Sequence, residues 1–378
     1  MKVYLDNAAT TALDQEVIDA MLPVMEFKFG NPSSIHSYGR EARTLIEASR
    51  KTVANLLNVS PAEIFFTSCG TEANNMAIRC SIRDLGIKHV ISSRIEHHAV
   101  EMTLEQMENE GAIKLSYVDI DNQGHVDLDH LDELLVNNDR SLVSLMHANN
   151  EIGTMLPIKK VSELCKQYNA VFHSDTVQTM AHYVHDLRNL NVHFVNCSAH
   201  KFHGPKGIGF IYINSAIKIH PFIFGGSQER NMRGGTENIY GIVGLAKAME
   251  IAYKNLDKDM EHIKGLKFYM VEQLKEAIPR VKFNGDVENG LYTVLSVSFP
   301  PSDISEMLLF NLDIEGIAAS GGSACSSGSD IGSHVLSGIG ADPNRPAVRF
   351  SFSKYNTKEE IDYTITKLKE LFPVKALY

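Results

Sequence analysis

The sequence predicts an α/β protein: a large domain with a mostly parallel sheet between helices, joined to a smaller α+β domain. Three observations carry this. Between about residues 40 and 215, short apolar runs alternate with segments of helical periodicity. Those runs are apolar nearly throughout rather than at every second residue, the pattern of strands buried on both faces. After about residue 240 the rhythm changes, and 378 residues exceed what one ordinary core organises. The division that follows places residues 12–258 in the large domain and residues 1–11 with 259–378 in the small one.

The elements follow in order. "EARTLIEASRKTVANLLN" carries Ala42, Leu45, Ile46, Val53, Leu56 and Leu57 at helical spacing. "EIFFTS" is a strand, and "CGTEANNMAIRCSI" opens the next helix. "KHVISS" leads to a helix through "AVEMTLEQMENE", "IKLSYVDI" to one at "LDHLDELLVNN", and "SLVSLMHA" to one at "IKKVSELCKQY". "AVFHSD", "HFVNCS" and "GIGFIYI" are further strands, the last two joined by a short polar loop that predicts an antiparallel excursion. Residues 239–278 read as one long helical stretch. "TVLSVSFP", a helix near 303–311, a glycine–serine loop, "AVRFSFS" and a last helix "KEEIDYTITKLKELF" complete the small domain, on which the N-terminal arm packs.

Composition excludes several classes. A net charge of −10 argues against general affinity for nucleic acid or anionic membrane. "MKVYLDNAATT" lacks a signal-peptide core, and no apolar run approaches a membrane span. The five cysteines contain no C-x-x-C pair, which points to a reduced, cytoplasmic protein without a disulfide framework. The histidine pairs His182/His185 and His200/His203 fall in no metal-binding motif, and no metal is expected.

In open α/β sheets, ligands sit at the carboxyl ends of the strands. Gly70 and Thr71 start a helix there, where free amides suit a phosphate. The next strand is followed by His97, and later ones by Asn150, by Asp175 with Gln178, and by Ser198, His200 and Lys201. Each has a plainer reading: Thr71 or Asp175 as a helix cap, His97 as an interior histidine, Lys201 as a solvated loop lysine. Together they match pyridoxal phosphate, which needs a lysine for its Schiff base, an acid for its pyridinium nitrogen and anchors for its phosphate.

The motifs "YLDNAATT", "GNPSSIHSYGREAR", "TSCGTEANNMAI", "EHHAV", "HANNEIGT", "HSDTVQT", "SAHKFHGPKG", "RGGTENIYGIVG" and "GSACSSGS" run in this order from end to end. In this the chain resembles the cysteine desulfurases of the nitrogen-fixation and iron–sulfur-cluster branch. That group belongs to the class V aminotransferases among fold-type I, aspartate-aminotransferase-like pyridoxal phosphate enzymes. The resemblance implies that Lys201, not Lys206, holds the cofactor. Asp175 would pair with the pyridinium nitrogen, Gln178 with the phenolic oxygen, and His97 would stack on the ring and assist proton transfer. Gly70, Thr71, Ser198 and His200 would hold the phosphate, and Asn150 would contact cofactor or substrate. Thr236 resembles a residue that reaches the phosphate of the other subunit, which implies a homodimer. Arg349 would bind the substrate carboxylate.

Cys325 stands among small residues in "AASGGSACSSGSDIGSH", where a structural cysteine would find nothing to pack against. By resemblance it is the nucleophile: its thiolate takes the sulfur of L-cysteine, leaving L-alanine and a Cys325 persulfide. A glycine- and serine-rich loop then presents that sulfur to an acceptor protein such as an iron–sulfur scaffold. Two positions depart from the family pattern. Ile331-Gly332 stands where many relatives have Glu-Pro, which predicts a looser far end of the loop, and Asn231 stands where glycine is common. Some relatives dock a scaffold with a longer C-terminal tail, whereas this sequence ends at Tyr378. The alternative is a selenocysteine lyase or another class V pyridoxal phosphate enzyme. Such an enzyme shares Lys201, Asp175 and His97 and differs in the part played by Cys325.

Overall fold

The computed structural model describes residues 1–302, 305–321 and 332–373. Cys325 and Ile331 lie outside the described residues. In chain order the strands are β1 (Val3–Tyr4), β2 (Ile64–Thr67), β3 (His89–Ser92), β4 (Lys114–Tyr117), β5 (Leu142–Ser144), β6 (Val171–Ser174), β7 (Phe194–Ser198), β8 (Gly209–Ile213), β9 (Lys282–Asn284), β10 (Val294–Ser298), β11 (Ile317–Ala318) and β12 (Ala347–Ser351). The helices are α1 (Gln15–Phe27), α2 (Ser37–Leu56), α3 (Gly70–Leu85), α4 (His98–Asn109), α5 (Leu128–Val136), α6 (Ile158–Gln167), the single turn α7 (Gln228–Asn231), α8 (Ile239–Lys254), α9 (Leu256–Ala277), α10 (Leu308–Ile314), α11 (His334–Gly338) and α12 (Lys358–Leu371).

A seven-stranded sheet runs in the order β2-β8-β7-β6-β5-β3-β4. Strands β3 to β7 pair parallel throughout, while β8 lies antiparallel to both β7 and β2. The predicted excursion at residues 193–213 is therefore present. Successive residues of a strand face opposite sides of a sheet. Accordingly Phe172 joins the core beneath α1, α2 and α8, while its neighbour Val171 joins the core beneath α3 and α4. Both faces being covered explains why alternation is missing from the sequence of these strands.

A second core gathers Val3 and Leu5 of the N-terminal arm, Ile263 and Met270 of α9, Val348 and Phe350 of β12, and Ile361 and Leu368 of α12. Its sheet is antiparallel, in the order β12-β10-β9. The arm is stitched in at both ends of its length: β1 pairs parallel with β11, and Asn7 donates from Nδ2 to the Ser351 carbonyl at 2.9 Å.

Three differences from the sequence reading have physical reasons. Residues 239–277 form two helices, because the Asn255 side chain donates to the Ile251 carbonyl at 3.0 Å and competes with helix continuation. The helix near 303–311 begins only at Leu308, after a 3₁₀ turn at Ser305–Met307. Helix α1, which periodicity left undetected, is capped by Asp14 and runs through Pro23.

Candidate active site

The carboxyl ends of β3, β5, β6 and β7 open into a cavity of about 310 Å³. The structure brings ten of the sequence-derived residues to its wall. Gly70 and Thr71 come from the start of α3 and His97 from the cap of α4. Asn150, Asp175 and Gln178 follow β5 and β6, Ser198, His200 and Lys201 follow β7, and Arg349 comes from β12. Lys206 is exposed in the turn beyond.

At the floor, the Asp175 carboxylate is held rather than free. Asn74 Nδ2 donates to it at 2.7 Å and the Val177 amide at 3.0 Å. Asn74 is aimed in turn by His173, whose Nε2 lies 3.0 Å from Asn74 Oδ1, and by Asn196. Burial holds the His173 imidazole down to about 4, so it is neutral at pH 7 and its Nε2 donates to Asn74. The ring's other nitrogen lies 2.8 Å from Ser144 Oγ.

The phosphate-type end is a helix start. Ser198 Oγ accepts from the Gly70 amide at 2.7 Å, and Cys69 precedes α3 without a capping side chain. A Cβ on Gly70 would lie 2.6 Å from Val177 Cγ2 and 3.2 Å from Ser198 Oγ, so only glycine fits. His200 Nδ1 lies 3.2 Å from Thr10 Oγ1, and burial lowers its pKa to about 4.

Lys201 sits on the short 3₁₀ turn that ends β7, and its Nζ donates to the carbonyls of Ala8 at 2.6 Å and Ala9 at 2.9 Å. Gln178 Nε2 donates to the same Ala8 oxygen at 3.1 Å. His97 Nδ1 accepts from the Ala99 amide at 3.1 Å, and burial lowers its pKa. Arg349 is 2% exposed. It donates to the Asn150 carbonyl at 2.9 Å and to Asp6 at 2.8 Å, and its buried Nε has no hydrogen-bond partner.

Thr236 is expected at a second subunit's cavity rather than at this wall. Thr236 is exposed in the loop before α8, beside Ser68 and Ile208. Cys325 lies outside the described residues. Sequence reasoning had passed over Asn74, His173, Asp6 and the carbonyls of Ala8 and Ala9. A signal existed for Asn74, which follows Gly70 by four residues and so shares its helix face. None existed for main-chain oxygens.

Residues 3–364 match the Aminotransferase class-V family. The chain is 45% identical over 374 residues to the cysteine desulfurase IscS of Dictyoglomus turgidum, covering 98% of this chain and 94% of that one. Among solved structures, a NifS-like protein superposes with a TM-score of 0.91 at 39% identity, covering 98% of this chain and 99% of the other. A structure of SspA in complex with cysteine superposes with a TM-score of 0.83 at 29% identity, covering 94% of this chain and all of that one.

Proposed function

The chain belongs to the class V aminotransferase family and, within it, to the cysteine desulfurases, and on that premise we propose that it moves sulfur from L-cysteine to Cys325 with pyridoxal 5′-phosphate as cofactor. The observation that carries the reading is the pairing of a held carboxylate, Asp175, with Lys201 in one cavity beside a helix start. Family members are pyridoxal-phosphate-dependent in general, and the residues here fit that group. Gly70 leaves a cradle that a methyl would fill, and the Arg349 Nε is a buried donor without a partner. When bound, the cofactor supplies an electron sink for the substrate's α-carbon.

This chain's residues do the rest. Lys201 Nζ would hold the cofactor and move the α-proton. Asp175, fixed by Asn74, would hold the ring nitrogen, and His97 and Gln178 would orient the ring. Gly70, Thr71, Ser198 and His200 would hold its phosphate, with Thr236 reaching it from a second subunit. Arg349 and Asn150 hold the substrate carboxylate. The Cys325 thiolate attacks the substrate sulfur; an S–S bond forms as the Cβ–S bond breaks. The released electron pair stays on Cβ, which takes a proton to become the alanine methyl. The persulfide then passes to an acceptor protein of iron–sulfur assembly.

The homodimer has its own support. Phe29, Ile35 and Phe224 are 69%, 91% and 78% exposed, and Phe29 packs its ring 5.3 Å from that of Tyr38. Exposed apolar side chains of this size are available to a second subunit. Two separate cores support the division into residues 12–258 and residues 1–11 with 259–378. No helix among the described residues is long and apolar enough to cross a membrane, in keeping with a cytoplasmic enzyme.

Mass spectrometry of the holoenzyme given L-cysteine tests the reading. The expected result is one added sulfur on the Cys325 peptide, with alanine formed by wild type and not by Cys325→Ala. Alanine formed by the variant would move the protein to the selenocysteine-lyase class.

A further inference from the structure

Two histidines outside the cavity have a use that the reaction does not give them. We propose that His98, Glu101 and His334 form a binding site for one divalent transition-metal ion of the zinc and iron(II) type, tying α11 to the start of α4.

One ligand atom from each of these side chains lies within 4.8 Å of the others. His98 and Glu101 stand three apart on α4, which places them on one helix face, and His98 Nδ1 lies 2.9 Å from Glu101 Oε2. His334 comes from α11. Its ring centroid is 4.6 Å from that of His98, and its Nε2 is 3.7 Å from the same Glu101 oxygen. In a tetrahedral site with metal bonds of about 2.1 Å, ligand atoms stand about 3.4 Å apart, so the wider pairs close on the ion by rotation of the partly exposed side chains.

The three are held in place before any ion arrives. Ile95 and Ile152 pack against Val335 and Ile339, which seats α11 on the loops that precede and follow the cavity. Ser333, the cap of α11, donates to Glu151 Oε2 at 2.5 Å. In the ion-free protein His334 Nε2 donates to the Glu96 carbonyl at 2.9 Å, a bond that the nitrogen gives up when it takes the ion. The apolar packing of α11 and the Ser333–Glu151 bond are separate from the three ligands, so removing one ligand leaves α11 seated.

The donor set selects the ion class. Two imidazoles and one carboxylate suit zinc or iron(II) rather than calcium or magnesium, which want oxygen alone. All three side chains are partly exposed, so open positions face water. The helix dipole at the start of α4 disfavours a cation, and the Glu101 carboxylate offsets it. The consequence concerns position: His334 lies nine residues after Cys325 in the sequence (334 − 325). An ion there holds α11, the element that follows the nucleophile in the chain, against α4.

The probe is Zn²⁺ alone. Chelator-treated holoenzyme is dialysed against Zn²⁺, and bound metal is counted for wild type, His98→Gln, Glu101→Gln and His334→Gln. The expected result is about one more zinc per chain in wild type than in each variant. Zinc also raises the melting temperature of wild type and not of the variants. Thiols are common to all four proteins, so equal zinc content in all of them overturns the proposal, as does no retained zinc in wild type. Melting each protein without zinc identifies a variant that has lost its fold, and the remaining two then carry the comparison.

Discussion

Asn74 Nδ2 stands 2.7 Å from the Asp175 carboxylate while its Oδ1 stands 3.0 Å from His173 Nε2, so one amide couples the acid of the site to a buried, neutral imidazole. Replacing Asn74 by Ala removes one hydrogen bond to a buried charge, a loss of about 1.5–3 kcal/mol. The expected outcome is a roughly tenfold or greater weakening of cofactor retention at unchanged pH, read from the absorbance of dialysed enzyme. Retention equal to wild type would show that Asp175 needs no such support.

Gly70→Ala places a methyl 2.6 Å from Val177 Cγ2, an overpacking that costs about 1–3 kcal/mol. Weaker cofactor retention and a lower melting temperature are expected. The double variant with Val177→Ala recovers both, because the second change clears the space the first one fills. Failure of that rescue would place the defect elsewhere.

Arg349→Lys exchanges a fork for a point charge where two contacts, to the Asn150 carbonyl and Asp6, are already made. The KM for L-cysteine is expected to rise about tenfold or more, with a smaller change in kcat. Steady-state kinetics separates this from a general loss of fold, which would lower the active fraction at unchanged KM.

Acid stability follows from interior histidines. Burial lowers His147 to about 3 and His173, His185 and His203 to about 4, against an unfolded value near 6.5. Between those values the unfolded chain binds more protons, so stability is full above about pH 6.5 and is lost as pH falls toward 4. Each histidine contributes a slope of up to about 1.4 kcal/mol per pH unit in that window. Urea midpoints from pH 7 to 5 should fall steeply, and less steeply in His147→Gln/His185→Gln. Parallel slopes would assign the acid loss to other groups.

Gly332 is a glycine with no demand for one: a Cβ there meets nothing within 4 Å, and its φ is not in the left-handed region. Gly332→Ala is therefore expected to stabilise by about 0.4–1 kcal/mol through the unfolded chain. An unchanged or lower melting temperature would count against it.

The inner part of the large sheet was legible because its strands are short apolar runs with turn residues behind them, as at Val171–Ser174 followed by Asp175. The same rule delivered Lys201 and Ser198 at the end of β7. What escaped was long-range or main-chain in nature. Nothing in "YLDNAATT" tells that two of its carbonyls face Lys201, and Pro23 hides α1 from a periodicity search. The departure at Asn231 became intelligible only with a backbone: its φ of 66° lies where glycine is at ease and asparagine is next best. The histidines singled out by spacing, His182/His185 and His200/His203, sit beside the cavity or in the interior, whereas His98 and His334 meet only through tertiary packing.

The N-terminal arm has a consequence for how the protein is made. Val3 and Tyr4 wait for Ile317 and Ala318, and Asn7 for Ser351. On the ribosome the arm is made well before its partners and so finds its place late. The carbonyls of Ala8 and Ala9 that hold Lys201 belong to that arm. A nascent chain therefore has its lysine and its acid long before it has a finished pocket. A chain interrupted before Ser351 has nothing to fix the arm, so its pocket stays incomplete.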